Sequence, residues 1–147
     1  MPILPAMTPH RLPPHAGPID CVMVVEDDEL DREVFARVFA KLLPDATVLE
    51  ADDGDTALAL LDAPGTPAPD IVFLDIRMPR MGGSEFLERL HARTGRPVPP
   101  VVLLSASDSD EDRALVERFD CVRDYLVKPL DRRAAASQLA GPVPLAA

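Results

Sequence analysis

Tryptophan is absent from this chain, tyrosine occurs once and phenylalanine five times, so an aromatic-rich core is excluded. The interior has to be built from Val, Leu, Ile and Ala, the residues that fill parallel strands buried on both faces. Cysteine occurs only twice, as Cys21 and Cys121, outside any CxxC pattern. That excludes a disulfide scaffold, makes both thiols expected core residues and suits a reduced, cytoplasmic protein. Basic residues are also scarce, 15 against 25 acidic ones, for a net charge of -10. Such a surface repels nucleic acid and anionic membranes and leaves other proteins as the expected partners. No apolar run approaches the roughly twenty residues that cross a bilayer, and the first residues lack the basic and apolar blocks of a signal peptide.

What is present suggests one α/β domain, since 147 residues supply one full core and not comfortably two. Residues 1–18 carry Pro2, Pro5, Pro9, Pro13, Pro14 and Pro18, too many for helix or sheet, and are expected to form a disordered tail. A folded unit is expected over residues 19–140, followed by a Gly-Pro-Val-Pro tail in 141–147.

Within that unit Ile19 to Val25 reads as a buried strand, and Leu30, Val34, Phe35, Val38, Phe39 and Leu42 follow helical spacing over Glu29 to Leu43. Thr47 to Glu50 is a second strand, Asp53-Gly54 a turn, and Thr56 to Asp62 a helix stopped by Pro64-Gly65. Ile71 to Leu74 is a third strand; Gly82-Gly83 reads as a flexible turn, with Ser84 capping a helix that carries Phe86, Leu87 and Leu90. Val101 to Leu104 is a fourth strand, followed by a helix capped by Ser107 or Asp108 and containing Ala114, Leu115 and Phe119. Tyr125 to Val127 is a fifth strand and Asp131 to Leu139 a last short helix. Strands and helices alternating in this way predict a parallel sheet with right-handed crossovers and helices on both faces.

Four of the apolar runs end in a reactive residue: Glu26 and Asp27, Asp75, Ser105, and Lys128. In an open parallel sheet the carboxyl ends of the strands share one edge, where ligands bind. A carboxylate there can accept a phosphoryl group, which makes Asp75 the expected nucleophile. Glu26 and Asp27 beside it are electrostatically costly without a cation, and hard oxygen ligands suit Mg2+ or Mn2+. Asp28 and Glu29 read instead as acids favouring the N-terminus of the following helix. Lys128 supplies a point charge for phosphate oxygens and Ser105 a hydroxyl donor, the parts that phosphoryl transfer requires. His10, His15 and His91 show no ligand spacing and receive no role.

The segments VMVVEDD, IVFLDIRMPRMGG, VVLLSAS and DYLVKPL, in this order and spacing, resemble the receiver domains of two-component response regulators from roughly Asp20 to Leu139. The resemblance implies a flavodoxin-like, doubly wound sheet of order 2-1-3-4-5 with five helices. It implies Asp75 as phosphoacceptor, and Mg2+ held by Asp27, Asp75 and the Arg77 backbone carbonyl, with Glu26 acting chiefly through water. It also implies linked switch roles for Ser105, which moves toward the phosphate, and Tyr125, whose ring turns inward. The face made by the fourth helix, fifth strand and fifth helix would then change its affinity for a partner. Lys128-Pro129 looks like the family's lysine-proline pair, whose peptide bond is commonly cis.

Three departures bear on mechanism, one being Ala106, which is small and beside Ser105 leaves an open approach to Asp75. Cys121-Val122 stands where the family often has Gly-Ala, so the turn before the fifth strand is expected to differ. Arg77, two residues after the acceptor, could contact the phosphate or obstruct attacking water. The layout, with SDSDEDR and FDCVRDYLVKPL, is similar to single-domain regulators paired with bacterial phytochrome-type kinases. The leading expectation is a stand-alone receiver, phosphorylated by a sensor histidine kinase or phosphotransfer protein and signalling to a protein target. It would be no turnover enzyme, although it assists its own phosphorylation and dephosphorylation. The short last helix and apolar tail leave room for a homodimer. The alternatives are an unreactive receiver-like interaction module and a haloacid-dehalogenase-type phosphatase. The phosphatase would need an acid where Arg77 stands.

Overall fold

The computed structural model describes residues 18–93 and 97–139. Ten elements alternate: β1 (Cys21–Val25), α1 (Glu29–Leu42), β2 (Thr47–Ala51), α2 (Gly54–Asp62), β3 (Ile71–Asp75), α3 (Gly83–Ala92), β4 (Val101–Ser105), α4 (Asp110–Arg118), β5 (Val122–Val127) and α5 (Arg132–Leu139). The strands form one parallel sheet in the order β2-β1-β3-β4-β5, as the resemblance implied. The tails expected at 1–18 and 141–147 lie outside the described residues, apart from Pro18.

Side chains alternate across the sheet and divide the core in two. Val22, Val24, Ile71, Phe73, Val102 and Leu104 face Phe35 and Phe39 of α1 and Ala135 and Leu139 of α5. Met23, Val25, Val72, Leu74, Val101 and Leu103 face Phe86, Leu87 and Leu90 of α3, together with residues of α2 and α4. Phe39 and Phe73 form a ring pair between helix and sheet, with centroids 4.8 Å apart. Both cysteines are buried, as expected. His91 packs its ring against Phe119 at 5.8 Å.

Several local expectations are corrected. Leu30 and Val34 are exposed, at 73% and 44%, although they share the helical spacing. Each residue turns the helix by about 100°, so a helix that points Phe35 and Phe39 at the sheet carries the Leu30–Val34 row round to its flank. Gly82-Gly83 is no free turn: Gly82 is the N-cap of α3 and Gly83 its first, buried residue. Ser84 is therefore inside the helix, where it accepts a hydrogen bond from Arg118 of α4. The cap of α4 is Ser109, whose hydroxyl accepts from the Asp112 N–H, and neither Ser107 nor Asp108; Phe119 is the C-cap and not a helical residue. Asp53 caps α2 by accepting from the Thr56 N–H, so that helix opens at Gly54.

β5 is twice as long as expected and its pairing with β4 shifts between Val101 and Val102, leaving Arg123 as the extra residue. The charged pair Arg123-Asp124 disguises the strand in sequence. Both charges have destinations on α5: Arg123 donates to the Gln138 carbonyl at 2.7 Å, and Asp124 accepts from Gln138 Nε2 at 2.6 Å. The bulge lies beside Cys121-Val122, where the family pattern is broken.

Candidate functional site

Asp75 is the last residue of β3, and its carboxylate is 4% exposed at the carboxyl edge of the sheet. Oδ1 accepts from the Arg77 N–H at 2.9 Å, and Oδ2 accepts from Lys128 Nζ at 3.1 Å. Lys128 follows β5, and its own N–H donates to the Ser105 carbonyl at 2.7 Å, which fixes where its side chain starts. The Lys128-Pro129 bond is cis.

Glu26, directly after β1, is fully buried; its backbone N–H donates to Ala51 and its Oε1 accepts from the Asp28 N–H at 3.1 Å. Lys128 Nζ approaches Glu26 Oε2 to 2.6 Å, an ion contact without hydrogen-bond geometry. Asp27 is exposed at the mouth of the site. One oxygen from each of Glu26, Asp27 and Asp75 lies within 4.8 Å of the others. Asp28 caps α1 by accepting from the Asp31 N–H, which is the structural role expected of it.

Burial pushes the Glu26 carboxyl up to about 8, helped by the adjacent Asp75 carboxylate. Burial also acts to raise Asp75, but the neighbouring Glu26 carboxyl and hydrogen bonds from the Arg77 N–H and Lys128 outweigh it and hold the carboxyl below its ordinary value. Lys128 loses solvation too, yet its carboxylate partners Glu26, Asp75 and Asp31 raise its affinity for the proton. The Asp75 carboxylate is thus ionised beside an ammonium, and Glu26 holds a proton more readily than an ordinary carboxyl. An all-oxygen donor set with one buried oxygen lacking a hydrogen bond fits a hard divalent cation.

Ser105 ends β4 next to Asp75, and its hydroxyl is fully buried. It does not donate to Asp75. It donates to Asp112 Oδ2 at 3.1 Å and accepts from the Ser107 N–H at 3.2 Å. Arg77 likewise turns from Asp75, its guanidinium reaching both oxygens of Asp112 at 3.1 and 3.0 Å. The Tyr125 ring is already buried, with its hydroxyl donating to the Ser107 carbonyl and the Arg113 guanidinium 5.2 Å above the ring centroid.

Glu26, Asp27, Asp75 and Lys128 are therefore brought together, whereas the hydroxyl of Ser105 and the side chain of Arg77 are held toward α4. Two members of these networks carry no signal of their own in the sequence. Asp31 contacts Lys128 Nζ at 3.1 Å, and Asp112 gathers Ser105 and Arg77. Each lies in the first turn of a helix within an acidic run, where an acid is expected for the dipole alone.

Comparison with known proteins bears on the same edge. A family model described as the response regulator receiver domain matches residues 22–140. The chain is 38% identical over 128 residues to the alkaline phosphatase synthesis transcriptional regulatory protein SphR of Synechococcus elongatus, covering 83% of this chain and 48% of that protein. It thus spans about half the length of that curated relative. A two-component response regulator from Cytophaga hutchinsonii is similar in structure, with a TM-score of 0.74 and 25% identity over 83% of this chain and 95% of that one. The bacteriophytochrome response regulator AtBRR is similar at a TM-score of 0.66 and 26% identity, over 88% of this chain and 99% of that one.

Proposed function

Because this chain belongs to the response regulator receiver domain family, we propose that it accepts a phosphoryl group on Asp75 and signals through protein contacts. The observation that carries this reading is the buried Asp75 carboxylate, ionised at the sheet edge with Lys128 Nζ at 3.1 Å. A carboxylate oxygen of Asp75 attacks the phosphorus of a phosphohistidine; the new O–P bond forms as the N–P bond breaks, and the bonding pair leaves with the imidazole. Lys128 faces the oxygens on which charge accumulates. Glu26, Asp27, Asp75 and the Arg77 carbonyl are the groups that would hold Mg2+, with Mn2+ as a substitute. Such an ion would neutralise phosphoryl oxygens as they approach the acidic pocket.

The donor in this reading is a sensor histidine kinase or a phosphotransfer protein. The likeness to a bacteriophytochrome regulator makes a phytochrome-type kinase the first to try. The added charge acts on Ser105 and Tyr125, and the face of α4, β5 and α5 presents the result to a protein target. A cytoplasmic location agrees with this role, and no helix among the described residues is long and apolar enough to cross a membrane. A dehalogenase-type phosphatase is disfavoured because the place of its second acid is held by Arg77, which is engaged with Asp112.

The test is intact mass after incubation with acetyl phosphate, with and without Mg2+, on wild type and Asp75→Asn. One Mg2+-dependent phosphoryl adduct, lost in the variant, is expected. A folded wild type that takes up no phosphoryl group would point to an unreactive interaction module. Donor turnover without accumulation would point to fast autodephosphorylation or phosphatase activity.

A further inference from the structure

Asp112 stands on α4, outside the acidic pocket, yet the two donors flanking Asp75 both end on it. Its Oδ2 accepts the Ser105 hydroxyl at 3.1 Å, and its two oxygens accept Arg77 at 3.1 and 3.0 Å. The Asp112 side chain is 11% exposed, so these contacts replace most of its water. Ser105 ends the strand beside Asp75, and the Arg77 N–H donates to Asp75. Both residues are therefore tied to the proposed acceptor by the chain and to α4 by their side chains.

A hydroxyl has one proton. Ser105 cannot donate to Asp112 and to a phosphoryl oxygen together, and neither can one guanidinium nitrogen fully serve both. An aspartyl phosphate brings nearly two negative charges against the single charge of Asp112, so it is the stronger competitor for each donor. The Arg77 side chain is 57% exposed and swings away at little cost. The buried Ser105–Asp112 bond is the tighter of the two restraints.

Resting on the reading of Asp75 as phosphoacceptor, we propose that Asp112 is a positioning residue: it withholds the Ser105 hydroxyl and the Arg77 guanidinium from Asp75 until a phosphoryl group outcompetes it. Losing both partners removes two side-chain ties between α4 and the sheet edge, while the bond of the Asp112 N–H to the Ser109 cap is kept. The phosphoryl event is thereby coupled to the helix that borders β5.

The experiment measures the affinity of beryllofluoride, supplied as beryllium and fluoride salts with Mg2+, by fluorine NMR. Wild type is compared with Asp112→Ala, with the more conservative Asp112→Asn, and with each of these in Ser105→Ala. Removing the competitor is expected to tighten binding roughly ten-fold, the scale of one hydrogen bond to a charged group. In Ser105→Ala the same change is expected to have less than a third of that effect. A purely structural Asp112 would weaken binding, or alter it equally in both backgrounds, and either result overturns the proposal, as does no change at all. If Asp112→Ala fails to fold, Asp112→Asn carries the same comparison. Wild type that takes no beryllofluoride would fail the reading of Asp75 itself, whereas wild type that binds with variants that match it fails only the role of Asp112.

Discussion

Lys128 Nζ and Asp75 Oδ2 lie 3.1 Å apart although 53 positions separate them in the chain, and the same ammonium also meets Glu26 and Asp31. One cation thus holds together carboxylates from three places in the chain. Removing it leaves buried negative charge uncompensated and takes away the only ammonium within reach of a phosphoryl group among the described residues. Lys128→Ala is expected to slow adduct formation from acetyl phosphate by about 100- to 1000-fold, on the scale of losing one electrostatic contact in a site. Initial rates by intact mass, at saturating Mg2+, check this; a rate within two-fold of wild type would remove Lys128 from the chemistry.

The thiols give a pH-dependent expectation. Burial pushes Cys21 up to about 11, with the nearby Asp70 charge adding to the effect, and burial likewise pushes Cys121 up to about 11. The thiolate is the reactive form, so two units above the ordinary 9.0 lower its population by about 100-fold at neutral pH. Native protein is expected to react with iodoacetamide at least that much more slowly than urea-unfolded protein. The sign for stability follows: the contribution of the protonated thiols is complete below pH 9 and is lost as pH rises through about 11, because the unfolded chain releases those protons first. Alkylation at equal rates in native and unfolded protein would contradict the burial of both side chains.

Gly83 illustrates a packing constraint. A Cβ there would sit 2.6 Å from Ile76 Cγ2 and 2.9 Å from the Ile76 Cα, which is backbone and cannot yield. Ile76 is the residue after Asp75, so the start of α3 is pressed directly against the loop that Asp75 opens. Gly83→Ala is expected to destabilise the fold by about 1–3 kcal/mol. At Gly82 the nearest atom to an added Cβ is 3.7 Å away, and Gly82→Ser supplies an N-cap side chain, so it is expected to be neutral or slightly stabilising. Urea unfolding of the two variants separates the cases, and equal midpoints would show that the loop yields.

The fold was legible because strand-filling runs such as IVFL and VVLL are bounded by proline, glycine and charge, and their alternation with helical spacing admits few topologies. The gathering of the site residues was legible for a related reason: strand ends in a parallel sheet meet at one edge, so Asp75, Lys128 and the Glu26-Asp27 pair could be placed together from the sequence. Side-chain direction was not legible. Ser105 stands where expected, but the proton of its hydroxyl points at Asp112, a residue that looks like any other acid of the α4 N-terminus. The extent of β5 was hidden because Arg123 and Asp124 read as loop residues, and their partners on α5 lie 15 and 14 positions further on.

Leu30 and Phe35 test the same limit quantitatively. Helical spacing assigns both to the buried face of α1, but Phe35 is 1% exposed against the sheet and Leu30 is 73% exposed. Truncating Phe35 removes a ring from a packed interior, for which about 3–5 kcal/mol is typical, and the surrounding Val22, Val24 and Phe73 cannot collapse into so large a space. Leu30→Gln replaces an apolar chain that water already reaches and keeps a straight-chain residue suited to helix, so it is expected to alter stability by no more than about 0.5 kcal/mol. Chemical unfolding of Phe35→Ala and Leu30→Gln measures both. A large loss from Leu30→Gln would mean that this flank of α1 is covered in solution, and would turn the exposed Leu30–Val34 row into a contact surface.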